Sequence, residues 1–177
     1  MKNIFIGGVA KSGKSTFAKI FSDKAKYNHI PLDYFASAFK HQLPLVGITS
    51  NVVIDYKSSE TFANYLSRVI DIIECHDELF ILDSAHIMPK DIVKYLDKNK
   101  WDIYYLGYSK TSKEEKFNLI RKYESSEDWT FKRSDDDLLN TVDKLISLSK
   151  EIEKECNDYN IKYIDTSFDF NEFNKYN

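Results

Sequence analysis

Two cysteines in 177 residues, Cys75 and Cys156, are too few for a disulfide scaffold, so stability has to come from a packed core. Three prolines and five glycines exclude a collagen-like or low-complexity chain. A basic excess is missing as well: 25 Lys and Arg face 28 Asp and Glu, for a formal charge of −3. Nucleic-acid binders carry the opposite imbalance, so no nucleic-acid partner is expected. No apolar run approaches the roughly 18 residues that a bilayer crossing needs, and no membrane association is expected. Met1-Lys2-Asn3 leads into only a strand-sized apolar stretch rather than the apolar region of a secretory leader, which fits a cytoplasmic location. With 42% hydrophobic and 30% charged residues, the chain has the make-up of one globular domain large enough for a core, as a monomer or a homodimer.

Apolar periodicity alternates between two spacings along the chain. Residues 2–7 form a short apolar run closed by glycine, the signature of a buried parallel strand. From Lys14 onward, Phe17, Ile20, Phe21 and Ala25 follow at helical spacing with lysines opposite. A weak strand at 28–32 ends at Asp33. Residues 34–57 are harder to read, with a helical turn or two around Phe35–Phe39 broken by Pro44 and Gly47. Helix returns at 60–75, and LFILD (79–83) is the clearest central strand. Pro89 opens a short helix through Leu96, and 101–108 is a fourth strand. Ser112 and Glu115 make a capping box for a helix to Tyr123. Residues 124–134 are polar and irregular. Ser134 caps a long helix to Asn157, IKYID (161–165) is the fifth strand, and the polar tail frays. Strands alternating with helices predict a three-layer α/β domain: a five-stranded parallel sheet with helices on both faces.

The scarce glycine is concentrated. Three of the five lie within IFIGGVAKSGKST (4–16), and Gly8-Val9-Ala10-Lys11-Ser12-Gly13-Lys14-Ser15 matches G-x-x-x-x-G-K-[ST] in full. A strand precedes it and a helix follows, which is the context this phosphate-binding loop requires. Its backbone N–H groups, from Gly8 through Thr16, wrap a phosphate, and the positive end of the helix faces the same anion. Lys14 is expected to reach the β- and γ-phosphates of ATP, and Ser15 to ligate Mg²⁺ through its hydroxyl. Ser12 and Gly13 belong to the cradle, and Lys11 faces solvent or a phosphate edge.

Two aspartates end strands. Asp33 closes the second strand, where an open α/β sheet lines its ligand crevice, and its carboxylate can take the proton of an acceptor hydroxyl. It could equally cap the segment that follows. Asp83, behind four apolar residues, has the Walker B pattern of an acid that holds Mg²⁺ through its water shell; a turn residue is the alternative. Only three arginines occur against 22 lysines, and Arg121 and Arg133 flank the irregular 124–134 stretch. Guanidinium groups suit the spread charge of a transferring phosphoryl group; two surface charges in a polar loop are the plainer reading. Cys75-His76 with His86 lacks the spacing of a zinc site.

The chain resembles the P-loop small-molecule and nucleotide kinases, the group of adenylate, shikimate and gluconate kinases. IPLDYFASAF (30–39) is similar to the segment after the second strand of chloramphenicol phosphotransferase, where an aspartate faces the acceptor hydroxyl. The resemblance implies an ATP-dependent transfer of the γ-phosphoryl group, a mobile lid at 121–134 carrying Arg121 and Arg133, and an acceptor-binding segment at 34–67. It also implies an adenine-contacting loop at Thr166, and Trp129 could cover a bound ring. Residues 34–67 contain no arginine, with only Lys40, His41 and Lys57 as substitutes, which favours a neutral or weakly charged hydroxyl acceptor: a nucleoside, a sugar-like metabolite or an antibiotic. A nucleoside monophosphate kinase and a P-loop NTPase acting as a switch stay open.

Overall fold

In a computed structural model, which describes residues 1–24 and 26–168, the expected alternation is realised as one parallel sheet. The expected polar tail beyond residue 168 lies outside the described residues. In chain order the elements are β1 (Asn3–Gly8), α1 (Lys14–Lys24), β2 (Tyr27–Pro31), α2 (Asp33–Gln42), α3 (Tyr56–Ile73), β3 (Leu79–Ser84), α4 (Pro89–Ile92), β4 (Trp101–Gly107), α5 (Lys113–Tyr123), α6 (Asp135–Asp158) and β5 (Lys162–Asp165). A 3₁₀ turn, Pro44–Val46, follows α2. The strand order is β2-β3-β1-β4-β5, and every pairing is parallel. Among the described residues no helix is long and apolar enough to cross a membrane.

Alternation along β1 sorts the two faces of the sheet. Ile4 and Ile6 pack with Phe17 and Ala18 of α1, joined by Ile81, Leu106 and Ile164. Phe5 points the other way into a larger core shared with α2, α3, α5 and α6, where Phe62, Leu66, Trp101, Tyr105 and Val142 are buried. Each such fully buried side chain contributes roughly 1.5–3 kcal/mol. Because β1 lies at the sheet centre with its neighbours reached by crossovers in opposite directions, the crevice opens at its C-terminal end, as the general rule for open α/β sheets requires.

Helix boundaries differ from the sequence expectation in three places. The uncertain 34–57 stretch holds the ten-residue α2. α3 starts at Tyr56 because the Asp55 carboxylate accepts the Ser58 N–H at 2.7 Å, a cap that apolar spacing does not reveal. α4 stops at Ile92 rather than Leu96, since the chain then turns into β4 with the Asp97 carbonyl accepting from Lys100 and Trp101.

Candidate active site

The β1–α1 loop is shaped by backbone geometry and braced from below. Gly8 has φ 132°, and a Cβ there would stand 1.9 Å from the Leu106 carbonyl oxygen of β4. Gly13 (φ 88°) and Lys11 (φ 58°) are also left-handed, a conformation that costs a residue such as lysine roughly 1–2 kcal/mol. Its neighbours hold the loop there. The Val9 N–H donates to Leu106 O (3.2 Å), and the Tyr108 hydroxyl donates to Ala10 O (2.9 Å). The Thr166 hydroxyl lies 3.2 Å from Ser12 O and 3.1 Å from Gly107 O. Ser12 and Thr166 are both fully buried, and Ser12 Oγ donates inward to Val9 O at 2.8 Å. Their side chains therefore shape the cradle from behind, and the Thr166 hydroxyl, in the loop that the resemblance assigns to adenine, is turned to the cradle.

Lys14, the first residue of α1, curls back so that Nζ donates to Val9 O at 2.8 Å. Burial pulls its ammonium below the usual lysine range, while the charges of Asp33 and Asp83 push it back up. A cleft of about 420 Å³ opens in front of it, lined by Ala10, Lys11, Gly13, Lys14, Ser15, Thr16, Asp33, Asp83, Ala85, Asp128 and Trp129. Three separate strand ends thus deliver the expected lysine, hydroxyls and carboxylates to one cavity.

Asp83 lies near the end of β3 and is buried, with Oδ1 3.3 Å from His29 Nε2. Desolvation raises its pKa; His29 and Lys14 act against that rise, and Asp33 adds to it. Asp33 takes the first helical position of α2, behind Leu32, whose side chain provides no cap. Its carboxylate does not cap its own helix. Instead Oδ1 accepts the Ala85 N–H at 3.0 Å, just beyond β3, and stands 3.6 Å from His86 Nε2. The Asp33 side chain is 48% exposed, open to the cleft, whereas His86 is buried. Burial lowers the His86 pKa, Asp33 raises it, and the Asn51 backbone carbonyl lies against its ring. In the sequence His29 does not stand out, and His86 enters only in weighing a zinc site; the signal for His86 is its place three residues after Asp83, close to the end of the apolar strand.

The opposite wall of the cleft is the 124–134 segment, which is tied down by charge. Arg121 Nε donates to Asp135, one terminal nitrogen to Glu124 and Thr130 O, and the other to Arg133 O and Asp135. These contacts engage all five guanidinium N–H groups, so Arg121 braces the segment rather than presenting a free cation to the cleft. Lys11, expected at solvent or a phosphate edge, reaches across to Asp128 Oδ1 at 2.6 Å. Thr130 is buried and Trp129 packs against the larger core, so the segment has more anchorage than its polar sequence suggests. Arg133 stacks over the Trp129 ring at 5.1 Å and pairs with Asp137 at 2.9 Å. It lines a neighbouring cavity and not the cleft in front of Lys14.

No protein-family model and no curated protein matches the sequence. Solved structures do share its fold. A shikimate kinase from Bacteroides thetaiotaomicron superposes with a TM-score of 0.56 at 13% identity, covering 92% of this chain and 85% of that one. A shikimate kinase from Acinetobacter baumannii in complex with shikimate gives 0.55 at 15%, covering 94% and 84%. A sugar kinase from a Janibacter species gives 0.50 at 14%, covering 90% and 98%. The fold is that of the P-loop small-molecule kinases.

Proposed function

We propose that this protein is an ATP-dependent kinase that transfers the γ-phosphoryl group to a hydroxyl of a small molecule. The observation that carries the reading is the convergence of Lys14, Ser15, Asp33 and Asp83 on one cleft at the C-terminal end of the sheet. Kinases acting on a small molecule such as shikimate share the fold.

In this reading the loop N–H groups from Gly8 to Thr16 hold the ATP phosphates, and the Lys14 ammonium moves from Val9 O to the β- and γ-phosphates. Asp33 is fixed through Oδ1 by the Ala85 N–H, which leaves Oδ2 for an acceptor hydroxyl. The acceptor oxygen attacks the γ-phosphorus as its proton passes to Asp33, and the bond to the β–γ bridging oxygen breaks to release ADP. Ser15 Oγ and Asp83 both line the cleft, a hydroxyl and a carboxylate of the kind that suits a hard divalent cation retaining its waters. Ser15 and Asp83 would hold Mg²⁺, whose charge would offset that of the ATP phosphates. Residues 121–134 act as the lid, with Asp128 and Trp129 over the loop, and exclude water that would otherwise hydrolyse ATP.

The test is mass spectrometry of a metabolite extract incubated with the protein, ATP and Mg²⁺, searching for a compound that gains one phosphoryl group. Lys14→Ala is expected to abolish the gain. Asp33→Asn is expected to lower kcat by about 10²–10⁴-fold with little change in ATP affinity. ATP hydrolysis without any phosphorylated product, or near-wild-type turnover by Lys14→Ala, would refute the kinase reading.

A further inference from the structure

Beside the nucleotide cleft lies a second cavity of about 450 Å³ that no step above uses. Its wall combines three distant parts of the chain: Lys40 from the end of α2, Ser50 and Asn51 from the loop before α3, and Arg133, Thr141 and Lys144 around the start of α6. Three of these six side chains are cations. Arg133 is paired with Asp137, whereas Lys40 and Lys144 form no ion pair among the described residues. The cavity therefore carries a positive excess, although the whole chain is net negative.

The cavity adjoins the reacting groups on two sides. Its Arg133 stacks on Trp129, and Trp129 lines the nucleotide cleft. Its Asn51 lies against His86, which stands 3.6 Å from Asp33. A small molecule seated among the cations is linked to the carboxylate assigned to the acceptor hydroxyl through Asn51 and His86, while Asp33 itself lines the neighbouring cleft. We infer that this cavity is the acceptor subsite and that the acceptor carries an anionic group, a carboxylate or a phosphate, held by Lys40, Arg133 and Lys144. The inference rests on the kinase reading for the word acceptor. It departs from the sequence expectation of a neutral or weakly charged acceptor, which rested on the absence of arginine from 34–67, because Arg133 and Lys144 come from outside that segment. A focused positive site of this kind raises the local concentration of anions and rejects uncharged analogues, whose binding would leave the cations unmatched.

The test is a titration of the full ¹⁵N-labelled chain with inorganic phosphate, and separately with acetate, in the presence of Mg²⁺ and a saturating non-hydrolysable ATP analogue. Saturable amide shifts are expected at Ser50, Asn51 and Thr141, with phosphate stronger than acetate if the natural group is a phosphate and the reverse if it is a carboxylate. Lys40→Glu/Lys144→Glu, at two exposed positions, is expected to weaken the binding by about tenfold or more while the rest of the spectrum is retained. Absence of saturable shifts at these amides, or equal binding by the double variant, would overturn the inference. Failure of the kinase reading shows elsewhere, as a lack of shifts from Gly8 to Thr16 when the ATP analogue is added.

Discussion

The two walls of the cleft in front of Lys14 are built on different principles. The β1–α1 wall is backbone: left-handed residues, a glycine pressed on the β4 carbonyl, and hydrogen bonds from Tyr108 and Thr166 beneath it. The 124–134 wall is held largely by side-chain charge, through Arg121 with its two carboxylates and Lys11 with Asp128. Backbone geometry is insensitive to salt, whereas part-buried ion pairs such as these weaken modestly as counterions screen them. On the proposed function, the first wall is suited to stay fixed when phosphates bind, and the second to be exchanged.

The largest effect should come from the fixed wall. Gly8→Ala places a Cβ on Leu106 O at a φ that L-residues avoid, so β1 and β4 have to separate. The expected loss is roughly 2–6 kcal/mol, combining backbone strain with overpacking. Denaturant unfolding measures it. An unchanged midpoint would mean that the loop yields easily and that the two walls do not differ in the way described.

Arg121→Ala probes the other wall with a smaller, local effect. Removing the brace should speed amide exchange across 125–133 and expose Trp129, while the unfolding midpoint falls less than in Gly8→Ala because only the edge of the core at Trp129 is disturbed. High salt should partly mimic the substitution in the wild-type protein. If exchange is unchanged and phosphoryl transfer is lost, Arg121 acts on the reacting phosphate and the brace is incidental.

The contrast also explains what was legible in the sequence. The loop could be read because its geometry is local: glycines, lysine and serine at fixed spacing between a strand and a helix dictate the backbone directly. The strand-end acids could be read for the same reason, as could the Ser112–Glu115 capping box, which the structure contains. The partner of Lys11 could not, because the topology brings Asp128 from a remote part of the chain; the partners of Arg121 and Arg133 are near in sequence, but the irregular path of 124–134 sets which of them meet. The start of α3 was hidden too, since Tyr56-Lys57-Ser58-Ser59 shows no apolar spacing. Ser59 is buried there through its hydroxyl, which donates to Asp91 at 2.6 Å and accepts the Met88 N–H at 2.8 Å. Thr166 stood at the expected strand end, but its role as a brace depends on Ser12, on another strand's loop.

The smallest expected effect lies where the two walls touch. Lys11 reaches Asp128 from inside the phosphate loop, so an arriving phosphate competes with that carboxylate for the same ammonium. Asp128→Asn removes the competitor and is expected to tighten binding of a non-hydrolysable ATP analogue by about two- to fivefold at low salt, the scale of an exposed ion pair. The difference should fade at high salt as the pair is screened in the wild-type protein. Lys11 foremost, with the Ser125 N–H, holds the Asp128 carboxyl below its usual range. A carboxylate depressed in this way is ionised in both folded and unfolded chains above its unfolded pKa, and the contact is lost only as pH falls through the lower folded value. The effect of Asp128→Asn should therefore be constant around neutral pH and vanish only in acid. Isothermal titration at two salt concentrations checks the first point, and a pH series checks the second. Equal affinity of the two proteins at low salt would show that Lys11 is not shared between Asp128 and the phosphates, and that the 124–134 wall covers the loop without contending for it.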